Sequence, residues 1–139
     1  MTSLGEYCFS GCTGLTSIEI PSSVTSLGES CFYRCTGLTS IEIPSSVTSL
    51  DSYCFGHCTG LTSIEIPSSV TSLGNNCFYG CDNLSVMHCL ATSVPTVGDD
   101  AFHGTKAKSE GYLYVPEASV ELYANDTNWK VWKNIQKLQ

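Results

Sequence analysis

Nine cysteines stand in 139 residues, and eight of them form C-x-x-x-C pairs: Cys8/Cys12, Cys31/Cys35, Cys54/Cys58 and Cys77/Cys81. Thiols at such a spacing can close disulfides, hold zinc or pack as small apolar side chains. Zinc knuckles use the shorter C-x-x-C step and combine two pairs, and a core position gives a thiolate no polar groups to support it. Cysteine is also among the most buried residue types, and Ala101 stands where a fifth Cys would recur. We therefore read these residues as buried free thiols, with disulfides and metal as the alternatives. His57, His88 and His103 fall in different units at different positions, so nothing aligns a histidine with a Ser or Cys as base and nucleophile. No catalytic residue, metal site or cofactor is assigned, and an enzyme is not expected. His57 and His103 sit in a variable pair of positions and read as solvated.

The remaining chemistry lies in three copies of "IEI", where Glu19, Glu42 and Glu65 interrupt an otherwise apolar run. They belong to the stretch "CTGLTSIEIPSSVTSLG", which begins at Cys12, Cys35 and Cys58. Cys8, Cys31, Cys54 and Cys77 are 23 residues apart, and so are Leu15, Leu38, Leu61 and Leu84. A period of this size signals a solenoid, because each unit is too small to bury its own apolar face and stacks on its neighbours to do so. "SIEIP" alternates with period two and stops at Pro, which predicts a short strand with its Ile side chains inward. "PSSV" and "SLG" carry turn chemistry, and "CFYRC" gathers apolar residues over about one tight helical turn. Successive strands joined this way must be parallel with right-handed crossovers. The fold class is therefore an α/β repeat: a right-handed solenoid of short parallel strands and 3₁₀-like returns.

The fourth unit drifts. Val94, Val97, Ala101 and Phe102 match Val70, Leu73, Cys77 and Phe78 at a spacing of 24, so one residue has been inserted. "YLYVP" supplies a fifth strand, and "EASVELYANDTNWKVWKNI" then changes to helix-like spacing. Val120, Tyr123, Trp129, Trp132 and Ile135 are available there to cover the last coil, a C-terminal helical cap of the kind a solenoid needs. The expected organisation is a single solenoid domain over 1–139: near-identical repeats to residue 95, a divergent last repeat over 96–116, and a cap over 117–139. "MTSLGEYCF" enters the repeat directly, which suggests a fragment of a longer solenoid whose uncapped first repeat could pair with its own copy.

Composition limits the partners. The formal charge is −7, and the first 95 residues hold Arg34 as their only base, which argues against nucleic acid. No apolar run approaches the roughly 20 residues that span a bilayer, and the N-terminus has neither a basic n-region nor an apolar h-region. If the protein is exported, its signal has been removed or lies upstream.

The motif "LTSIEIPSSVTSLGESCFYRCTGL" resembles the BspA-type leucine-rich repeat, a class of surface proteins of Bacteroides-like bacteria and of some protists. "YLYVPEASVELYANDTNWKVWKNI" is similar to the closing segment of its bacterial members. The family usually has Ala before the Phe, whereas this chain has Cys in four units. The resemblance implies a secreted or surface-displayed binding or adhesion module without catalysis, and names no ligand.

If the Ile residues point inward, the Glu residues must share the outer face. One exposed column then reads Glu19, Glu42, Glu65, His88, Tyr114, and its neighbour Ser17, Ser40, Ser63, Val86, Tyr112. Stacked carboxylates about 5 Å apart in a water-like medium repel by about 1 kcal/mol per pair, which a basic ligand would relieve. We expect these residues, Val86 apart, to form the binding face for a Lys/Arg-rich segment of a protein partner, such as a host or extracellular-matrix protein. A structural spacer in a longer surface protein and a carbohydrate-binding module are the other readings.

Overall fold

The computed structural model describes residues 3–138. Each turn of the chain crosses two parallel sheets. The wider one contains β4 (Ser63–Ile66), β6 (Val86–Cys89), β8 (Tyr112–Val115) and β9 (Asn134–Lys137), in that spatial order. Single parallel bridges Glu19–Glu42 and Glu42–Glu65 carry the same ladder across the first two coils. "SIEIP" therefore pairs in the predicted register, although only its third copy forms a full strand.

The second sheet was not legible as one. "SLG" reads as a turn, yet its Ser-Leu pairs are two-residue strands: β1 (Ser3–Leu4), β2 (Ser26–Leu27), β3 (Ser49–Leu50), β5 (Ser72–Leu73) and β7 (Thr96–Val97). Register places Leu4, Leu27, Leu50, Leu73 and Val97 in one column, so the inserted residue is absorbed before β7. Two residues cannot show a period; only the neighbouring coil makes this segment a strand.

Between the sheets runs the return. Its i to i+3 hydrogen bonds, such as Cys35 N to Phe32 O at 3.1 Å, give it a 3₁₀-like pitch. The turns do not merge into a helix, because Tyr7, Ser30, Tyr53, Asn76 and Asp100 are left-handed with φ of 54–57°, and Gly11, Arg34, His57, Gly80 and Gly104 are left-handed four residues later. Hydrogen bonds from one coil to the next hold these conformations: Phe9 N to Cys31 O, Phe32 N to Cys54 O, Phe55 N to Cys77 O and Phe78 N to Ala101 O, all 2.8–2.9 Å. The phenylalanines stack inside with centroids 5.4 Å apart, widening to 6.1 Å at Phe78–Phe102.

The cysteines lie beside this ladder. Seven are buried, while Cys8 is exposed and Cys12 half-buried, since no coil precedes theirs among the described residues. The second thiol of the last three pairs has a defined role: Cys35, Cys58 and Cys81 donate to the carbonyls of Phe9, Phe32 and Phe55 at 3.0, 3.1 and 2.8 Å. Desolvation pushes the Cys35 thiol up to about 11 and Cys31 up to about 12, and raises Cys54, Cys77 and Cys89 as well. An unfolded thiol titrates near 9. Above that pH the unfolded chain releases protons that the folded chain retains, so stability that is complete below pH 9 falls as pH rises toward 11–12. The slope is about 1.4 kcal/mol per pH unit for each such thiol. Urea midpoints measured from neutral pH upward should therefore drop steeply beyond about 9, and a Cys31→Ala/Cys54→Ala variant should flatten that drop. In the native protein at neutral pH only Cys8 and Cys12 should react rapidly with a thiol reagent.

The cap differs from the helix its spacing predicts. Helix α1 (Ala107–Glu110) is a single turn inside the last coil, and α2 covers only Val120–Asn125. The chain is extended at Asp126, whose Oδ1 accepts from Asn128 N and Trp129 N at 2.9 and 3.2 Å and so starts a separate 3₁₀ turn over Trp129–Val131. β9 follows and pairs in parallel with β8. Ile135 is thus a strand residue of the wider sheet and shares no helical face with the tryptophans. Tyr123, Trp129 and Trp132 are fully or almost fully buried beneath the last coil.

Candidate binding face on the wider sheet

Alternation along the strands sorts the side chains. Ile20, Ile41, Ile43, Ile64 and Ile66 are buried, whereas Glu19, Glu42, Glu65, Ser17, Ser40 and Ser63 are exposed. The ladder sets Glu19 opposite Glu42 and Glu42 opposite Glu65, so three carboxylates line up across neighbouring strands. Among the described residues the ion pairs are Lys106–Glu110 at 3.3 Å and Lys137–Glu117 at 3.6 Å, which leaves the column without a counter-charge. Beside it lies a hollow of about 520 Å³, lined by Ser17, Glu19, Pro21, Ser22, Glu42 and Pro44.

Further along, the same columns become aromatic. Glu65 pairs with His88, and His88 with Tyr114. The His88 and Tyr114 rings stack at 5.0 Å and 17°, and Tyr112 stacks on Tyr114 at 6.1 Å and 12°. Seven of the nine sequence-assigned residues thus lie on one ladder, with Ser17 and Ser40 exposed two residues before Glu19 and Glu42, and an acidic and hydroxylated half passes into an aromatic half. β9 prolongs both columns with Gln136 beside Tyr114 and Asn134 beside Tyr112, two residues that the reading of this segment as helix had hidden.

The other two histidines are elsewhere. His57 packs edge-on between Tyr33 and Tyr79 at 5.5 and 5.7 Å, and His103 stacks on Tyr79 at 5.2 Å. With Tyr53 they form an aromatic row on the return side, so His57 is a half-buried packing residue and only His103 is exposed. Gly56 and Gly80 make room for the row, since a Cβ there would lie 2.8 Å from the Tyr33 ring and 2.5 Å from His57 Nδ1. Gly56 stands where the other units have Ser10, Tyr33, Tyr79 and His103, and that substitution was the available sequence signal. Among the described residues no three His, Cys, Asp or Glu side chains cluster closely enough to hold a metal ion.

Residues 1–114 match a family profile described as a BspA type leucine-rich repeat region, six copies. The chain belongs to the BspA-type leucine-rich repeat family. Solved leucine-rich proteins superpose along 99% of it. A leucine-rich repeat protein from T. pallidum gives a TM-score of 0.78 at 25% identity, and one from Bacteroides ovatus gives 0.75 at 24%. A leucine-rich cell surface protein from Faecalibacterium prausnitzii gives 0.65 at 25%. This BspA-type chain spans 63%, 35% and 30% of those three chains, less than two thirds of each. No curated protein gives a significant match. No helix among the described residues is long and apolar enough to cross a membrane.

Proposed function

We propose that this BspA-type solenoid is a non-catalytic adhesion or protein-binding module, secreted or displayed at a cell surface, that grips a Lys/Arg-rich segment of a partner across its wider sheet. The observation that carries this reading is the exposed column Glu19, Glu42, Glu65, which has no counter-charge among the described residues. A basic segment lying across the strands neutralises it, and an aromatic or cationic side chain of the same segment meets the His88, Tyr114 and Tyr112 rings. Ser17, Ser40 and Ser63 line the neighbouring column and supply hydroxyls to the partner's backbone. The cell-surface neighbour from F. prausnitzii supports the location.

The test is binding to an immobilised Lys/Arg-rich peptide and to a panel of extracellular-matrix proteins. Replacing Glu19, Glu42 and Glu65 together by Gln should weaken binding tenfold or more and flatten its salt dependence. A control carrying Glu6→Gln, Glu29→Gln and Asp51→Asn on the return side should bind like the parent. The reverse outcome moves the site to the return face. Binding to none of these by the parent chain leaves the spacer reading, and binding to glycans abolished by Tyr112→Ala/Tyr114→Ala would favour carbohydrate.

A further inference from the structure

The cap and the last coil do not match in hydrogen bonding. In the return, three N–H groups of each coil donate to carbonyls of the next: Tyr7, Phe9 and Gly11 reach Glu29, Cys31 and Tyr33, and so on to Asn76, Phe78 and Gly80, which reach Asp99, Ala101 and His103, all at 2.7–3.0 Å. The same three positions in the last coil are Asp100, Phe102 and Gly104, and among the described residues their N–H groups have no acceptor. The chain does not stop there but runs on through α1, β8 and the cap. What the cap brings is donors: Tyr123, Ser119, Trp129 and Asn128 bond the carbonyls of Ala91, Thr92, Pro95 and Val97. It thus serves the part of the coil whose carbonyls need partners and leaves the return, whose N–H groups need them, unserved. The N–H of a buried residue such as Phe102 is rarely left so.

A hollow of about 450 Å³ lies beside this row, with residues 100–104 as one wall and Lys108 of α1 and Asn128 and Val131 of the cap as another. It stands where the return of a further coil would run, and its volume is in the range of ligand sites. Val131 is 40% exposed and gives it an apolar side. The spacing of the donors selects the occupant. They fall at every second residue, so their acceptors must be spread along a chain instead of gathered on one ion, and in four earlier rows those acceptors are backbone carbonyls two residues apart on a parallel segment. Asp100 and Lys108 both stand at the hollow, so a free anion meets a like charge there and a neutral carbonyl does not. We propose that this hollow receives a segment of a partner polypeptide, which runs parallel to residues 100–104, accepts their three N–H bonds on alternate carbonyls and sets an apolar side chain against Val131. Main-chain bonds supply the affinity of such a complex, and the wall supplies its selectivity. The site is separate from the acidic column of the wider sheet.

Heptapeptides supply the probe, selected from a random phage-displayed library on the parent chain with counter-selection on a Val131→Trp variant, whose ring fills the hollow. Synthesised with both ends blocked and titrated into the isotope-labelled parent, such a peptide should slow amide exchange at Asp100, Phe102 and Gly104 tenfold or more. Asn76, Phe78 and Gly80, whose N–H groups are already bonded, should not change. A Glu19→Gln/Glu42→Gln/Glu65→Gln variant should bind the peptide like the parent, so this site and the acidic face stand or fall separately. A selection that yields no peptide preferring the parent to Val131→Trp overturns the proposal, and so does a selected peptide that leaves the three amides unprotected. Protection that appears when the chain alone is concentrated would mean that a second copy fills the hollow, and overturns it as well. If a melting curve shows Val131→Trp to be unfolded, selection on the parent alone followed by the same exchange measurement decides.

Discussion

Replacing Trp129 by Ala is expected to lower stability by about 3–5 kcal/mol, the range for removing a large buried aromatic. Trp129 is wholly buried, its ring centroid 5.1 Å from both Phe102 and Tyr123, and its Nε1 donates to Pro95 O at 3.0 Å. Tyr123 Oη and Ser119 Oγ reach the carbonyls of Ala91 and Thr92 at 2.6 and 2.7 Å, and Asn128 Nδ2 reaches Val97 O at 3.0 Å. The cap thus satisfies carbonyls of the last coils with side chains, a task another coil would perform with backbone. Phe at 129 should retain most of the packing and still cost about 1–3 kcal/mol, because the Pro95 carbonyl loses its donor. Trp132 provides the contrast: its buried Nε1 has no partner among the described residues, so Trp132→Phe should cost less than Trp129→Phe. Urea titrations of the four proteins rank these expectations, and equal midpoints for the two Phe variants would remove the hydrogen bond from the account.

The second large effect is at a glycine with an ordinary backbone angle. A Cβ on Gly60 would lie 2.6 Å from Thr36 O and 3.1 Å from Leu38 O, backbone atoms of the preceding coil that cannot swing aside. Gly60→Ala should therefore cost about 3 kcal/mol by overpacking. Gly14 has the same place in the first coil with nothing within 4 Å of a Cβ, so Gly14→Ala should be close to neutral. Asn83 holds the position one coil after Gly60, where its Nδ2 donates to Thr59 O at 2.8 Å. Asn at 60 can form the equivalent bond to Thr36 O and should be tolerated better than Ala. The order of melting midpoints, Gly14→Ala above Gly60→Asn above Gly60→Ala, checks the stacking directly.

Much of this was written in the repeat. Period two across "SIEI" set which residues face out, and the 23-residue frame set which of them become neighbours; Glu19, Glu42 and Glu65 follow from those two numbers alone. What escaped depends on contacts with no local period. Ser26–Leu27 is a strand only because identical pairs lie on either side. The end of α2 depends on one Asp126 carboxylate that captures the next two free N–H groups, which helical spacing of the tryptophans cannot reveal. Position within the stack also mattered: Cys8 and Cys12 match the buried thiols in sequence, but among the described residues no coil covers them. His57 looked solvated because the left-handed turn that turns its ring toward Tyr33 and Tyr79 is uncommon for a residue other than glycine.

The near-identity of the first three coils has a kinetic side. Coil 3 presents to coil 1 almost the same columns as coil 2 does, so a chain that docks one on the other, with 23 residues looped out between them, makes contacts of native type in a wrong order. Little in the local energetics distinguishes the two arrangements until the count of coils is complete. Unique addresses occur toward the C-terminus, at the 24-residue step into β7, the 26-residue step from β6 to β8 and the pairing of β8 with β9. Refolding that begins there and zips backward numbers every coil correctly, whereas refolding that begins among the first three must be able to unzip and recount.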